Sequence, residues 1–311
     1  MPNLGLGGQL DVLMSRVGEA LPLRFHVEIP RKDAASRTAE FARIRETFIH
    51  HVPAFEIGAH IGSGGFADVF LVTSNYDGVT DFAIKVLRKD LLNVRKRAGV
   101  SPDQEEMRIK DVKKRFTNES YVQWHLSRSL SQEVAQSVVQ VYDHGEFDRK
   151  QGYRFILMEQ MGHTVRQFIS EIDHGNVTPL LMHYKVDLMI NIAVIITRIH
   201  KEGIIHRDIK PENILFIRPG RQDAPVNFGD AEAQWPSAPV VKLGDFGTVR
   251  WVRSYSSAYD AIIIGSQSYM SPEQMFDPEN LNSRTDIYSF GVVCYELLFG
   301  VHPKGIRTTT R

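Results

Sequence analysis

The chain has 311 residues, of which 42% are hydrophobic and 24% are charged, a composition typical of a soluble globular protein with one large domain or two smaller ones. Its 37 Lys and Arg residues balance 37 Asp and Glu residues, so we expect no nucleic-acid or membrane partner held by bulk charge. The single cysteine, Cys294, excludes an internal disulfide and disfavours a cysteine-based zinc site. Because the most apolar run, residues 290–301, is too short to cross a bilayer and the first residues lack a signal-peptide pattern, we predict a cytoplasmic protein.

Residues 1–54 are interpreted as an N-terminal extension. Within it, Phe41, Ile44 and Phe48 are spaced three to four residues apart, which predicts a helix over residues 39–51. This segment either packs on the domain that begins near Phe55, regulates that domain, or is partly disordered.

From Phe55 onward, short β-rich runs are separated by turns, as in hairpins. A helix is predicted over residues 112–130, and strands are predicted over residues 55–58, 68–72, 81–87, 138–142 and 153–158. This pattern predicts a small antiparallel sheet with one major helix.

After Gly162 the pattern becomes mainly helical, with helices predicted over residues 184–202 and 286–299. The second is almost entirely apolar and is therefore predicted to be buried. Residues 218–239, rich in Pro, Gly, Ala and Asp, predict a surface insertion. The first helix should end at Gly203 and turn one apolar stripe to the core: Val186, Met189, Ile190, Ala193, Ile196 and Ile199.

A glycine-rich segment lies between the first two predicted strands and reads Ile-Gly-Ser-Gly-Gly-Phe-Ala-Asp-Val over residues 61–69. Glycines allow a backbone to approach phosphate oxygens and to point N–H groups at them. The same glycines are also compatible with a plain hairpin turn. No helix follows directly and no Lys follows the last glycine, so a Rossmann turn or a Walker loop fits poorly.

Lys85 lies in the third predicted strand. A buried ammonium there is costly unless it meets an anion, and the helix predicted over residues 112–130 offers Glu119 as a partner. The alternative is a surface lysine on an edge strand.

The most specific signal is the run His-Arg-Asp-Ile-Lys-Pro-Glu-Asn over residues 206–213. Asp208, beside a basic residue and five positions before Asn213, has the chemistry to orient a hydroxyl and hold a divalent cation. Asp245, followed by Phe and Gly, supplies a second oxygen ligand on a glycine turn.

In this order, the glycine-rich segment, Lys85, Glu119, the 206–213 run, Asp245 and the Ser-Pro-Glu at 271–273 resemble the signature set of the eukaryotic-type (Hanks-type) serine/threonine protein kinases. The resemblance covers residues 55–303 and implies an α+β, two-lobed protein-kinase-like fold. Its parts would be the extension (1–54), an ATP-binding N-lobe with a small antiparallel sheet and one major helix (55–160), a mainly helical C-lobe (161–303) and a tail (304–311). Because the family normally continues with several more helices, we expect the C-lobe to be incomplete.

The resemblance implies transfer of the γ-phosphoryl group of ATP to Ser or Thr hydroxyls of a protein, with ATP and Mg²⁺ as cofactors. Asn213 and Asp245 would hold the metal. The implied catalytic residues are the base Asp208, Lys210, which steadies the phosphoryl group, and Asn213, Lys85 and Glu119. The implied ATP-binding residues are Ile61, Gly62, Ser63, Gly64, Gly65, Phe66, Ala67, Asp68, Val69, Ala83, Lys85, Met158, Glu159, Met161 and Leu215.

Residues 265–273 resemble the segment that receives the substrate peptide, with Ser266 in place of the common threonine. Hydroxyl residues within 254–266 are candidates for autophosphorylation, with Arg207 as the receiver of the phosphate. Neither nucleic acid nor a membrane is expected as a partner.

Two departures from the family pattern bear on these predictions. Ala67 replaces the third loop glycine, which is a mild change. Gln123, four residues after Glu119, replaces an apolar residue that the family stacks in its regulatory spine. If the incomplete C-lobe prevents transfer, the alternative is an ATP-binding or inactive kinase-like scaffold; phosphorylation of a small molecule is a weaker third interpretation.

Overall fold

The computed structural model describes residues 34–52, 54–64, 66–75, 82–88, 92, 101–129, 131–148, 153–172, 178–217, 239–251 and 266–305. These residues fall into two compact units. The first unit runs to Gly162 and includes Gly244–Gly247, and the second holds His163–Leu243 and the residues from Thr248 onward.

An antiparallel sheet of five strands forms the centre of the first unit, in the order β1-β2-β3-β5-β4. The strands are β1 (Phe55–Ser63), β2 (Ala67–Ser74), β3 (Phe82–Leu87), β4 (Val141–Asp148) and β5 (Tyr153–Glu159). The predicted sheet is therefore present, but the prediction for β4 was wrong in position. Its Asp143 and Gly145, which lie beyond the end of the predicted strand, pair with Leu157 and Phe155 of β5, because pairing with a buried neighbour overrides the turn preference of Asp and Gly.

Helices cover both faces of this sheet. Helix α1 (Ala34–His51) buries Ile44 and Phe48 against one face, and α2 (Pro102–Leu126) buries Val112 and Phe116 against the other. The predicted helix in the extension is thus confirmed and packs on the sheet. A short helix, α3 (Gln132–Ser137), precedes β4.

Helix α2 begins ten residues before the predicted start. Pro102 stands at its first turn, where its missing N–H has no intrahelical partner to lose. Asp103 and Glu105 lie in the same turn and complement the positive end of the helix dipole. Residues 102–111, which lie outside the predicted helix, therefore belong to α2.

The second unit is mainly helical. Its helices are α4 (Val165–Glu171), α5 (Pro179–Lys201), α6 (Pro272–Phe276) and α7 (Arg284–Phe299). Two short strand pairs join β6 (Ile204–Ile205) to β9 (Arg250–Trp251) and β7 (Ile214–Phe216) to β8 (Val241–Leu243).

The predicted core stripe of α5 is partly wrong. Ile196 and Ile199 are buried, but Val186 and Ile190 are exposed, and Leu188 is buried in their place. Helix α7 likewise is not buried all round: it exposes apolar side chains and buries Asp286 and Glu296. In a helix that is apolar on most sides, periodicity alone does not select the buried face.

Several sequence predictions lie outside the described residues. These are Gly65, the candidate phosphorylation sites in residues 254–265, and the surface insertion except for Pro239.

Candidate active site

Lys85 meets two carboxylates within the first unit. Strand β3 lies in the middle of the sheet, so the edge-strand alternative for Lys85 is wrong. Since neighbours Ile84 and Val86 belong to the core under α1, the alternation of the strand turns Lys85 to the opposite face. There its Nζ donates to Glu119 Oε1 and lies 3.5 Å from Asp245 Oδ1.

Burial and the neighbouring charges shift the pKa values of Lys85 and Glu119. Burial by itself lowers the pKa of Lys85, but Asp245 and Glu119 outweigh it and hold the pKa above its ordinary value. Burial also raises the pKa of Glu119 to about 7, a rise that Lys85 opposes and Asp245 reinforces. Two carboxylates thus share one ammonium, which leaves an excess of negative charge that a cation would relieve.

The Asp245-Phe246-Gly247 turn places Asp245 beside helix α2. Asp245 adopts a φ of 61°, a left-handed conformation that is costly for a non-glycine residue and is concentrated at functional sites. Phe246 is fully buried. A Cβ on Gly247 would lie 3.6 Å from Glu119 Oε2, so the turn sits directly against Glu119.

Gln123 is buried on α2, one turn after Glu119. Its Nε2 donates to the backbone oxygen of Val139, 3.0 Å away. The polar residue that departs from the family pattern therefore ties α2 to the segment before β4. Arg128, just beyond the helix, adds bonds to the oxygens of Val141 (2.6 Å) and Tyr142 (3.1 Å).

The glycine-rich segment is the hairpin between β1 and β2. Gly62 pairs with Val69 and Ser63 with Asp68, while Gly64 N donates to Ala67 O at 2.8 Å. Ile61 is exposed and Asp68 is buried. Beyond the tip, Phe66 joins the core under α2, and the Arg115 guanidinium lies 5.9 Å from its ring centroid.

The residues predicted around adenine divide between the two units. Ala83 pairs with Met158 across β3 and β5, and Phe82 pairs with Glu159. Gln140 N donates to Glu159 Oε1 (2.7 Å). Met161 lies just beyond β5, half-buried. Leu215 lies in β7 of the second unit, bridged to Thr164.

Asp208 lies at the centre of a hydrogen-bonded cluster in the second unit. Its Oδ2 accepts from Lys210 Nζ (2.7 Å) and Asn213 Nδ2 (3.1 Å), and its Oδ1 accepts from the backbone N–H of Ser266 (2.8 Å). Lys210 Nζ also donates to Ser266 Oγ, 2.8 Å away. Asp208, the predicted base, therefore contacts both Lys210 and the segment predicted to receive substrate.

Asp286, at the start of α7, fixes the backbone of this loop. It is fully buried, and it accepts from the N–H groups of His206 and Arg207 at 2.8 Å each and contacts His200 Nε2 at 2.8 Å. Arg207 has a φ of 65°. Its Nε donates to Thr248 O at 2.6 Å. These bonds tie the first turn of α7 to the 206–213 run.

A family model described as protein kinase domain matches residues 55–310. The chain belongs to the protein kinase family. It is 31% identical over 253 residues to a probable serine/threonine-protein kinase PknB of Corynebacterium glutamicum, a match over 80% of this chain and 32% of that protein. It is 35% identical over 178 residues to the serine/threonine-protein kinase PknL of Mycobacterium tuberculosis, over 57% of this chain and 38% of that protein.

A solved crystal structure of a kinase domain matches with a TM-score of 0.61 at 20% identity, over 83% of this chain and 67% of that one. The predicted Hanks-type serine/threonine kinase family and α+β kinase fold are confirmed. The chain spans about a third of the length of the curated relatives it matches. The incompleteness of the C-lobe stays a prediction.

Asn213 and Asp245, each in its own unit, carry oxygen atoms of the kind that Mg²⁺ prefers. Both side-chain bonds of Asn213 leave from Nδ2, which orients Oδ1 as the atom left for a cation. Asp245 has a carboxylate in the first unit. No group of three or more His, Cys, Asp or Glu in the described part of the chain forms a metal cage, and Mg²⁺ commonly binds through one or two carboxylates together with substrate phosphates.

Sequence reasoning missed a buried ion cluster beside the catalytic loop of the kinase. Arg166 donates to Glu212 Oε1 (2.8 Å) and to Glu296 Oε2 (3.1 Å), and it contacts Tyr269 Oη. Tyr269 in turn donates to Glu296 Oε2 at 2.6 Å. These residues are up to 130 positions apart, so no local pattern could have joined them.

Glu273 of the Ser-Pro-Glu motif has a local partner in the kinase. Its Oε1 accepts from Thr285 Oγ1 at 3.1 Å. Separately, none of the helices in the described ranges has the length and apolar character needed to cross a membrane.

Proposed function

We propose that the protein transfers the γ-phosphoryl group of ATP to serine and threonine hydroxyls of proteins. The first unit binds ATP, and the second carries the catalytic loop and receives the substrate. The observation that carries the proposal is the Asp208 cluster, in which one carboxylate contacts Lys210 Nζ, Asn213 Nδ2 and the backbone of Ser266.

Asp208 acts as the catalytic base. The substrate hydroxyl oxygen attacks the γ-phosphorus, its proton passes to Asp208, and the bond between the γ-phosphorus and the β–γ bridging oxygen breaks to release ADP. Lys210 Nζ lies 2.7 Å from Asp208 Oδ2 and 2.8 Å from Ser266 Oγ, and its charge would stabilise the transferred group. Orientation and electrostatics therefore supply the catalysis.

Lys85 would contact the α- and β-phosphates of ATP. Glu119 holds its ammonium in place. Asn213 and Asp245 would hold Mg²⁺, which neutralises charge on the phosphates when bound. The hairpin of residues 61–69 would cover the phosphates. The residues assigned to the adenine are Ile61, Val69, Ala83, Met158 and Leu215, and the backbone of 159–161 would bond it.

The substrates are proteins, and the chain itself is one of them. Hydroxyl residues within 254–266 accept phosphate in autophosphorylation, and the reaction takes place in the cytoplasm. The relatives named as serine/threonine-protein kinases support this substrate class. Neither a nucleic-acid nor a membrane partner is part of the proposal.

The decisive experiment is intact-mass spectrometry of the chain after incubation with Mg-ATP, beside Asp208→Asn. We expect phosphate additions in the wild type and a rate lower by on the order of 100-fold or more in the variant, because the amide cannot accept the proton. The circular dichroism spectrum and melting temperature of the variant check that it is folded.

A generic serine- and threonine-containing protein substrate, with ³²P transfer as the readout, completes the test. Folded wild type that binds Mg-ATP but labels neither itself nor this substrate would contradict the proposal and identify an inactive scaffold. Equal labelling by the wild type and Asp208→Asn would remove Asp208 from the role of base.

A further inference from the structure

We propose that helix α1 positions the glycine-rich hairpin through Phe41 and His60, and that this contact strengthens ATP binding. The helix precedes residues 55–310, which the family model matches, so it is an addition to the kinase domain. The inference rests on the ATP-binding part of the proposed function and does not require phosphoryl transfer.

The helix is fixed to the sheet at several points. Ile44 and Phe48 are buried in the core that it shares with β1 and β2. One turn after Phe41, the Arg45 guanidinium donates from Nε and Nη2 to the backbone oxygen of Gly58, at 3.2 and 2.8 Å. A helix held by both a core and a forked hydrogen bond gives a rigid support for the residues that it contacts.

Phe41 extends this support to β1. Its ring stacks on the His60 ring, with centroids 4.6 Å apart and planes inclined by 24°. Both rings also contact Phe70 of β2 edge-on, at 5.0 Å and 5.3 Å between centroids. Contacts of this kind have defined geometry and contribute beyond the area that they bury.

His60 connects Phe41 to the hairpin. Its Nε2 lies 3.0 Å from Ser63 Oγ, which donates to Asp68 Oδ1 at 2.6 Å. Since the single hydroxyl proton of Ser63 goes to Asp68, Nε2 must carry the proton between His60 and Ser63. Phe41, His60, Ser63 and Asp68, here called the Phe41 cluster, therefore join α1 to both strands of the hairpin.

The Phe41 cluster lies where the backbone pairing of β1 with β2 is irregular. The register of β1 on β2 shifts between Ile57 and His60 and again between His60 and Gly62, so the ladder is irregular next to the hairpin. Ser63 and Asp68 form the last pair before the loop. Side-chain contacts at this pair limit the motion of the hairpin, which lowers the entropy lost when it orders around phosphates.

The test compares Phe41→Leu with Phe48→Leu. Both substitutions shorten an aromatic residue that α1 packs on the sheet. Phe41 stacks on His60, whereas Phe48 is buried in the core. Two quantities are measured for each variant: hydrogen exchange of residues 61–69 without nucleotide, and the dissociation constant for Mg-ATP by isothermal titration calorimetry. Melting temperatures report the loss of core packing.

We expect Phe41→Leu to speed exchange in the hairpin and to raise the dissociation constant roughly three- to tenfold, the size expected from loss of one ring contact and the bond that it orients. Phe48→Leu should lower the melting temperature at least as much as Phe41→Leu does. It should nevertheless leave hairpin exchange and ATP affinity within about twofold of wild type, because Phe48 is not a member of the Phe41 cluster.

A second pair of variants acts within the cluster. His60→Phe keeps the ring and removes the hydrogen bond to Ser63, whereas His60→Gln keeps an N–H donor and removes the ring. Each of these variants should weaken ATP binding. In the His60→Phe background, Phe41→Leu should raise the dissociation constant for Mg-ATP by a smaller factor than it does in the wild type, because both residues act through the Phe41 cluster.

The inference is overturned if Phe41→Leu changes neither exchange nor affinity, or if Phe48→Leu changes both equally. Should Phe41→Leu fail to fold, the His60 variants decide the question by the same two readouts. A wild type that binds Mg-ATP without transferring phosphate overturns the proposed activity alone, and one that binds no ATP overturns both.

Discussion

At the scale of single residues, Gln123 shows how a buried polar side chain replaces an apolar contact. The expected stacking residue is absent, and the amide instead bonds the oxygen of Val139, a residue that is itself buried. A buried carbonyl without a donor is costly. Removing this hydrogen bond should therefore destabilise the fold by more than the net free energy that the bond itself contributes.

We therefore expect Gln123→Ala to lower the free energy of unfolding by about 1–3 kcal/mol, measured by urea denaturation. Gln123→Leu fills the space but still leaves Val139 O without this donor, so it should recover only part of the loss. A Leu variant as stable as wild type would show that the hydrogen bond contributes nothing net.

At the scale of elements, the contact between α2 and β4 holds two histidines. The Tyr121 ring lies 5.1 Å from His125 on α2 and 5.6 Å from His144 on β4. Burial lowers the pKa of both histidines. His144 and Arg128 lower that of His125 further, while for His144 the nearby Asp143 opposes the shift and Arg128 adds to it.

Folding therefore favours the neutral rings. Below the ordinary histidine pKa of about 6.5, the unfolded chain binds protons that these two positions resist in the folded state, so their contribution to stability is lost as the pH falls. We expect the double variant His125→Gln, His144→Gln to lose less stability than wild type between pH 7.5 and pH 5.5 in urea denaturation. If the double variant loses as much stability as the wild type between these two pH values, the histidines are not the source of the pH dependence.

At the scale of the whole molecule, Arg166 unites distant parts of the second unit. It joins α4 to Glu212 of the catalytic loop, to Tyr269 and to Glu296 of α7. Burial and the bond to Glu296 raise the pKa of Tyr269, which keeps its hydroxyl as a donor. Loss of Arg166 would leave Glu296, fully buried, without its cation.

We expect Arg166→Met to lower the free energy of unfolding by about 3–5 kcal/mol, the cost typical of breaking a buried pair from one side. Arg284→Met, at an exposed position of α7, serves as the control and should stay within about 0.5 kcal/mol of wild type. Denaturation by urea measures both. Equal losses in the two variants would contradict a special role for Arg166.

The sequence by itself determined the family, the sheet with its adjacent helix, and the order of the candidate site residues. These depend on local signals: glycines in a hairpin, the 206–213 run, and apolar spacing in the extension. It also led to the Lys85–Glu119 pair, because a lysine within an apolar strand needs a carboxylate wherever the strand is buried.

Only the tertiary structure decided which helix faces are buried and which residues far apart in sequence meet. Val186 and Ile190 follow the helical period yet are exposed, while Asp286 and Glu296 are buried because loop N–H groups and Arg166 satisfy them. The stacking of Phe41 on His60 likewise joins two elements that no sequence period relates. Hydrophobic periodicity reports only that a face exists, whereas the partner that covers it is set by packing across the chain.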